Sequence, residues 1–304
     1  MSYAVDVFLI SRFLCNTSGA GKTSLLLNGL NQNFGLYFTA RAQPDGVGSE
    51  DMENILKKFS QEGRLMPITD QNHTTATAAN RNAAERQFLL LLYGHILFLR
   101  IFLQEAFTMP DGITEDHKGC WLLIQVMPKT LLARFDDPFA TFTEQLAGAS
   151  AEYLRRAIKE DLAIVKGLLG SEALFCVLDE AQIPTEGFMY CFLSDSTPAE
   201  PRPILREIIR TWSDYFPNLI VSGTGVSMQT MQAVLGSSVA KEGQEAIMIT
   251  NLGAFDNEQA QKAYLEYYLP PKFLETDSGK VLATRVAYWL HGRCVCNACI
   301  IVEC

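Results

Sequence analysis

The chain has 304 residues, of which 48% are apolar and 19% are charged, a composition typical of an ordered globular protein rather than a disordered one. Its formal net charge of −9 argues against a broad basic surface, so we expect no strong nucleic-acid binding. Residues 1–14 lack a basic start and contain Asp6 and Arg12, so they do not resemble a signal peptide and predict an intracellular protein, in the cytoplasm or the nucleus.

Short apolar runs alternate along the chain with longer helical patterns, as in a sheet whose strands are connected by helices. The predicted strands are residues 4–14, 35–40, 120–127, 173–178, 219–221 and 246–249. The predicted helices are residues 25–30, 49–59, 76–106, 152–169, 204–215 and 258–268. This order predicts an α/β fold with a mainly parallel, five- or six-stranded sheet that is covered by helices on both faces.

Residues 88–107 are apolar enough to raise the question of a membrane span. The stretch contains His95, Arg100, Gln104 and Glu105, and its longest uncharged part is shorter than the ~20 residues that a span needs. We therefore expect a helix buried inside the protein and no membrane.

The eight cysteines divide into four scattered among apolar neighbours and four near the end of the sequence. The scattered set is expected to behave as small buried apolar residues: Cys15, Cys120, Cys176 and Cys191. The terminal set is Cys294, Cys296, Cys299 and Cys304. Because this set lacks paired Cys-x-x-Cys ligands and an internal His, we expect no metal site there.

Residues 16–23 fit the phosphate-binding loop G-x-x-x-x-G-K-[ST] at every fixed position except the first, where Asn16 replaces Gly. Gly19 and Gly21 would let backbone N–H groups turn toward an anion, and the positive end of the following helix would face the same phosphates. Lys22 would bind the β- and γ-phosphates, and Thr23 would bind Mg²⁺. The predicted nucleotide-binding residues are Asn16, Thr17, Ser18, Gly19, Ala20, Gly21, Lys22, Thr23 and Ser24.

A second segment supplies acidic residues for the same site. Residues 173–178 are a continuous apolar run that ends in Asp179 and Glu180, which is the Walker B pattern. A buried strand of a parallel sheet delivers its last residues to the carboxyl edge, beside the phosphates. We expect Asp179 to hold the Mg²⁺ shell through water, and Glu180 to orient or deprotonate the attacking water.

Residues 219–225 form a further strand that ends in a hydroxyl-rich turn. Either Ser222 or Thr224 could sense the γ-phosphate, and the sequence does not choose between them. A strand inserted between the phosphate-loop strand and the Walker B strand would indicate the branch with a catalytic Glu, which includes AAA-type and STAND ATPases. Residues 179–182, Asp-Glu-Ala-Gln, also resemble a helicase box, but we find no further helicase motif.

Several motifs occur in an order that resembles the P-loop ATPase domain of crinkler-like and retrotransposon-hotspot-like proteins of fungi. They are residues 16–23, 35–39, 121–125, 178–182, 202–206, 221–225, 252–256 and 289–293. The resemblance implies an AAA/STAND-like ATPase, often joined to a C-terminal nuclease, in which Lys22, Thr23 and Asp179 hold ATP and Mg²⁺ and Glu180 acts on the attacking water. It also implies that Arg293 is a lid or sensor arginine.

Two departures from this family pattern affect the expected activity. Ser11 and Arg12 interrupt the apolar strand before the loop, and a cysteine-rich end follows Arg293 where relatives continue with a further helix. We therefore expect a nucleotide-binding core at residues 1–252 and a truncated helical lid at residues 253–304, without a nuclease. A switch acting on an unknown protein partner is the leading hypothesis; a module without turnover and a small-molecule or nucleotide kinase are the alternatives.

Overall fold

The computed structural model describes residues 11–16, 21–41, 47–61, 63–69, 71–131, 137–194, 199–217, 219–225, 246–250, 259, 262–263, 265–266 and 269–289. Its strands are β1 (Ser11–Asn16), β2 (Gly35–Thr39), β3 (Phe175–Asp179), β4 (Leu219–Thr224) and β5 (Ala246–Ile249). The helices up to the middle of the chain are α1 (Lys22–Gln32), α2 (Asp51–Gln61), α3 (His73–Thr108), α4 (Glu115–Val126), α5 (Pro128–Leu131) and α6 (Pro138–Gln145). The later helices are α7 (Ala151–Leu169), α8 (Gln182–Glu186), α9 (Leu205–Ser213) and α10 (Asp277–Trp289).

The five strands of the described residues form one sheet in the order β2-β3-β4-β1-β5. Every neighbouring pair is parallel, which confirms the predicted α/β fold with a parallel sheet. β4 lies between β1 and β3, so the strand before the predicted phosphate loop and the strand before the two acids are separated by one strand. Parallel strands all end at the same edge, and this order brings the ends of β1, β4 and β3 together there.

Helices cover both faces of the sheet, as predicted. On one face, Leu26 and Leu30 of α1 pack with Leu14 and Val177 of the strands. On the other face, a larger apolar cluster joins the strands to α2, α3, α7 and α9. Burial from two sides explains why all five residues of β2 are buried and why the strands have no alternating polar pattern.

Helix α3 is the one described helix that is long and apolar enough to cross a membrane by length and composition. However, 61% of its most apolar window is buried inside the protein. Trp212 of α9 also donates a hydrogen bond to the carbonyl of Phe88 at 3.0 Å, which joins α3 to the core. These contacts are typical of a core helix and agree with the buried helix expected for this stretch.

The predicted strand at residues 120–127 is wrong, because these residues belong to helix α4. The helix lies along β2, the edge strand of the sheet, where Trp121 donates to the carbonyl of Gly35 at 2.7 Å. Gln125 accepts from the backbone N–H of Tyr37 at 2.8 Å and also donates to Gly35 at 3.1 Å. The helical spacing turns Trp121 and Gln125 toward β2 and leaves Leu123 47% exposed.

The predicted strand before the phosphate loop and the predicted helix at residues 258–268 are described in part. β1 includes Ser11 and Arg12 without a break, and Arg12 is paired with Ile220 on one side and Ile247 on the other. The two polar residues therefore do not break the strand, while residues 1–10 and the side chains of Ser11 and Arg12 lie outside the described part. In the predicted 258–268 helix, the described residues 259, 262–263 and 265–266 are helical. The division into a core and a lid stays a prediction.

Candidate functional site

The carboxyl edge of the sheet meets the first turn of α1 at Gly21. Gly21 is the N-cap of α1 and has a φ of 79°, in the left-handed region that favours glycine. Among the described residues, which do not include 17–20, no heavy atom lies within 4 Å of a side-chain carbon placed at this position. A helix that begins in this way presents free backbone N–H groups, which is a favourable environment for an anion.

Thr23 and Asp179 join α1 to the end of β3. The Thr23 hydroxyl donates to Oδ2 of Asp179 at 2.7 Å, although the residues are 156 positions apart in the sequence. The Tyr37 hydroxyl reaches the same oxygen at 3.4 Å, and the Glu180 N–H donates to Oδ1 at 2.9 Å. Asp179 is only 3% exposed, so these donors fix the orientation of its carboxylate.

Lys22 is unusual because its amine-bearing side chain is almost fully buried, with 7% of the residue exposed. Burial lowers the pKa of Lys22, while the charges of Asp179 and Glu180 act in the opposite direction. Burial also raises the pKa of the neighbouring Cys15 thiol, an effect that the Lys22 charge opposes. A buried cation attracts an anion strongly, because little water competes with the interaction.

Glu180 has an uncommon backbone conformation for a residue with a side chain. Its φ is 57°, in the left-handed region, which costs on the order of 1–2 kcal/mol. Its carboxylate accepts a hydrogen bond from the side-chain amide of Gln182, and the side chain is partly exposed. The turn that follows is held by the Ala181 N–H, which donates to the carbonyl of Ser222 at 2.8 Å.

The structure distinguishes the two hydroxyls at the end of β4. Ser222 is fully buried, and within the described part of the chain its Oγ has no hydrogen-bond partner. Its neighbour two positions earlier, Ile220, packs against the cluster under α1, so strand alternation puts Ser222 on the α1 side of the sheet. Thr224 is partly exposed, and its backbone N–H donates to Oε1 of Gln182 at 3.0 Å.

Two residues of the site were missed in the sequence. Tyr37 lies in a buried strand, where aromatic residues are common. Its sequence position therefore gives no sign of its contact with Asp179. Burial raises the pKa of the Tyr37 hydroxyl, and Asp179 raises it further, which keeps the phenol a donor. Gln182 had a weak signal, since it ends the Asp-Glu-Ala-Gln string at residues 179–182.

Part of the predicted site falls outside the described residues: Thr17, Ser18, Gly19, Ala20, the side chain of Asn16, Arg293, and the terminal cysteines Cys294, Cys296, Cys299 and Cys304. Ser24 is described and lies exposed on α1. Among the described residues, no group of three or more His, Cys, Asp or Glu side chains could hold a metal ion. Thr23 and Asp179 nevertheless bring two oxygen atoms of the kind that a hard cation prefers within 2.7 Å of each other.

No protein-family model matches this chain, and no curated protein matches it either. The functional assignment therefore depends on the residues and the geometry of the chain itself.

Proposed function

We propose that this chain binds ATP at the carboxyl edge of the sheet and hydrolyses it with Mg²⁺, as a P-loop domain of the AAA/STAND type. The observation that carries the proposal is the 2.7 Å hydrogen bond between Thr23 and Asp179. The bond joins Thr23, the last residue of the predicted phosphate loop, to Asp179, the first acid of the Walker B pattern. Contact between these two motifs is expected if they form one site.

The phosphate side of the proposal is supported by Gly21 and Lys22. The described residues leave space beside Gly21, and a phosphate group there would lie close to the backbone N–H groups at the start of α1. The buried Lys22 amine would exchange the attraction of the nearby Asp179 and Glu180 charges for a direct interaction with the phosphates. This exchange would favour binding of a triphosphate, because a highly charged anion compensates a buried cation better than two partly engaged carboxylates do.

The residues present also fit Mg²⁺. The Thr23 hydroxyl and the Asp179 carboxylate are hard oxygen donors that lie close together, and Mg²⁺ keeps several waters in addition to one or two protein oxygens. When bound, the ion would neutralise charge that develops on the phosphate oxygens. The role of Tyr37 and of the Glu180 N–H is to hold the Asp179 carboxylate in one orientation.

Glu180 is the proposed general base, because it directly follows Asp179 and its carboxylate is accessible at the edge of the sheet. The buried Ser222 hydroxyl, which lacks a partner among the described residues, is the favoured γ-phosphate sensor, with Thr224 next to it. The insertion of β4 between β1 and β3 agrees with the branch of P-loop proteins that has a catalytic Glu. We also propose that the protein is intracellular and that ATP hydrolysis switches or remodels a protein partner.

The experiment that tests this function measures Mg²⁺-dependent ATP binding and phosphate release by the whole chain, by Lys22→Ala and by Glu180→Gln. We expect binding and turnover in the unaltered chain, weakened binding in Lys22→Ala by about 10- to 100-fold, and retained binding in Glu180→Gln with turnover lowered by about 100-fold or more to a residual rate. Binding with no turnover above that of Glu180→Gln would replace the ATPase with a nucleotide-binding module. The absence of binding would refute the nucleotide site altogether.

A kinase is a second candidate, because a cavity of about 420 Å³ lies beside the carboxyl end of β2. Its lining includes Arg41, Lys57 and Ser60, and also Ile183 of α8, which starts two residues after Glu180. A small phosphate acceptor bound there would lie on the same edge of the sheet as the proposed phosphates. Formation of a phosphorylated small molecule in place of free phosphate, when candidate acceptors are added, would favour this function over hydrolysis.

A further inference from the structure

The side chain of Gln182 forms a bridge between two elements of the candidate site. Its Nε2 atom donates to Oε2 of Glu180, and its Oε1 atom accepts from the backbone N–H of Thr224 at 3.0 Å. A carboxylate can only accept and a backbone N–H can only donate, so a single orientation of the amide satisfies both contacts. A side chain that makes both contacts must therefore carry a donor and an acceptor on one rigid group, as the amide of Gln182 does.

The two ends of the bridge have different surroundings. One end is Glu180, which has a left-handed φ of 57° and a partly exposed carboxylate. The other end is the last residue of β4, and Thr224 is paired there with Asn16, the first residue of the predicted phosphate loop. Gln182 therefore connects the proposed general base to the rung of the sheet from which the loop departs.

Glu180 needs such a restraint because another partner competes for its carboxylate. The charge of Glu180 acts on the buried amine of Lys22, so a Glu180 side chain without a second contact would be drawn toward Lys22. A carboxylate engaged with Lys22 would be badly placed to accept a proton from water and would oppose the binding of phosphate. The Gln182 amide occupies one carboxylate oxygen and leaves the other for water.

We propose that Gln182 is a positioning residue, which holds the Glu180 carboxylate at the end of β4 and so sets the rate of the hydrolytic step. The inference rests on the proposed ATPase function. It predicts a loss in kcat with little change in ATP affinity, because Gln182 acts on the base and contacts neither α1 nor Asp179 in the described hydrogen bonds. Misplacement of a catalytic group by about 1 Å can cost on the order of 100-fold, so we expect a loss of at least about tenfold.

Two variants of Gln182 test the bridge, one that removes both hydrogen bonds and one that removes only the bond to Glu180. Gln182→Met keeps the length of the side chain and removes both hydrogen bonds. Gln182→Glu keeps an acceptor for the Thr224 N–H but loses the donor and repels Glu180. Both should lower kcat by about tenfold or more, while the Kd for ATP stays within about threefold. The control is Gln145→Met, at an exposed position on α6, which should match the unaltered chain.

A double-mutant comparison tests whether Gln182 acts through Glu180. Once the base is absent, its positioning residue should have nothing to position, so Glu180→Gln/Gln182→Met should be no slower than Glu180→Gln alone. Thermal unfolding of each variant would be recorded beside these rates. A purely structural effect would instead lower ATP binding and Tm together and would add to the Glu180→Gln defect.

The outcomes distinguish failure of this inference from failure of the proposed function. If the unaltered chain hydrolyses ATP and Gln182→Met stays within twofold of it, or if the two substitutions have additive effects, the inference is overturned and the ATPase stands. If the unaltered chain turns over no faster than Glu180→Gln, hydrolysis fails and the inference fails with it. Slower hydrolysis with retained binding and a non-additive double variant would support both.

Discussion

Two borders of the same sheet differ in whether their polar groups have hydrogen-bond partners. Along the lateral edge of β2, side chains of α4 take the place of a neighbouring strand, since Gln125 binds the Tyr37 N–H and Trp121 binds the Gly35 carbonyl. At the carboxyl edge, Ser222 keeps a buried hydroxyl without a partner in the described part of the chain, and Glu180 has a left-handed backbone.

The difference indicates what each border does. A free strand edge exposes N–H and C=O groups that would pair with another chain, so satisfying them with α4 stabilises the fold and protects the edge. Strained backbone and buried polar groups without hydrogen bonds reduce stability. In proteins they occur mostly at functional sites, where a ligand can form the missing interactions. Substitutions at the β2 border should therefore affect folding, and substitutions at the carboxyl border should affect activity.

The largest expected effect on stability is that of Trp121→Ala. Trp121 is 1% exposed, and its loss removes a large buried side chain and leaves the Gly35 carbonyl with one fewer donor. We expect the free energy of unfolding to fall by about 3–5 kcal/mol in urea denaturation. Tyr190→Ala, at a residue that is 77% exposed, is the control and should change it by less than about 0.5 kcal/mol. A loss below about 1 kcal/mol in Trp121→Ala would contradict the role given to α4.

Gln125→Met should have the next largest effect. It keeps most of the volume of a residue that is 1% exposed but leaves the buried Tyr37 N–H without its 2.8 Å acceptor. An unsatisfied buried donor costs about 1–3 kcal/mol, which urea denaturation would detect. Gln145→Met, on the exposed side of α6, serves as the matched control. Equal stability of the two variants would mean that the Gln125 hydrogen bond does not stabilise the edge.

Ser222→Ala tests the opposite border. Because the Ser222 hydroxyl is buried and has no hydrogen-bond partner among the described residues, its removal should leave the free energy of unfolding unchanged or raise it by up to about 1 kcal/mol. Turnover should nevertheless fall by about tenfold, since loss of one hydrogen bond to a phosphate oxygen costs about that much. Thr224→Val is the comparison variant. A marked loss of stability in Ser222→Ala, with normal turnover, would show that the hydroxyl is structural.

The smallest expected effect is that of Tyr37→Phe, which links the two borders. Its backbone N–H belongs to the β2 edge, while its hydroxyl makes a long, 3.4 Å contact with Asp179. Loss of the hydroxyl should change the free energy of unfolding by less than about 1 kcal/mol. The Mg²⁺ concentration at half-maximal turnover should rise about two- to threefold, because Asp179 loses one of its orienting donors. An unchanged Mg²⁺ dependence would remove Tyr37 from the site.

The sequence predicted the parts of the site that depend on local pattern and on the geometry of parallel sheets. Gly21, Lys22 and Thr23 form a contiguous motif, and Asp179 and Glu180 directly follow a strand that apolar composition reveals. The contact between Thr23 and Asp179 agrees with this prediction, because parallel strands deliver their ends to one edge wherever they occur in the chain. The buried helix α3 was also predictable from local pattern, since its long Ala- and Leu-rich stretch contains charged residues that a membrane span would exclude.

Tertiary structure decided what local pattern leaves ambiguous. A short apolar run such as residues 120–127 fits a strand and a helix alike, and the choice depends on Trp121 and Gln125 reaching the backbone of β2. The difference between Ser222 and Thr224, and the bridge made by Gln182, depend on side-chain direction and on neighbours from distant segments. Sequence by itself thus determined which residues end at the carboxyl edge, because the apolar pattern locates the strands and parallel strands all end at one edge. Only packing determined which of them hold one another in place, because a hydrogen bond requires positions and directions that no single segment contains.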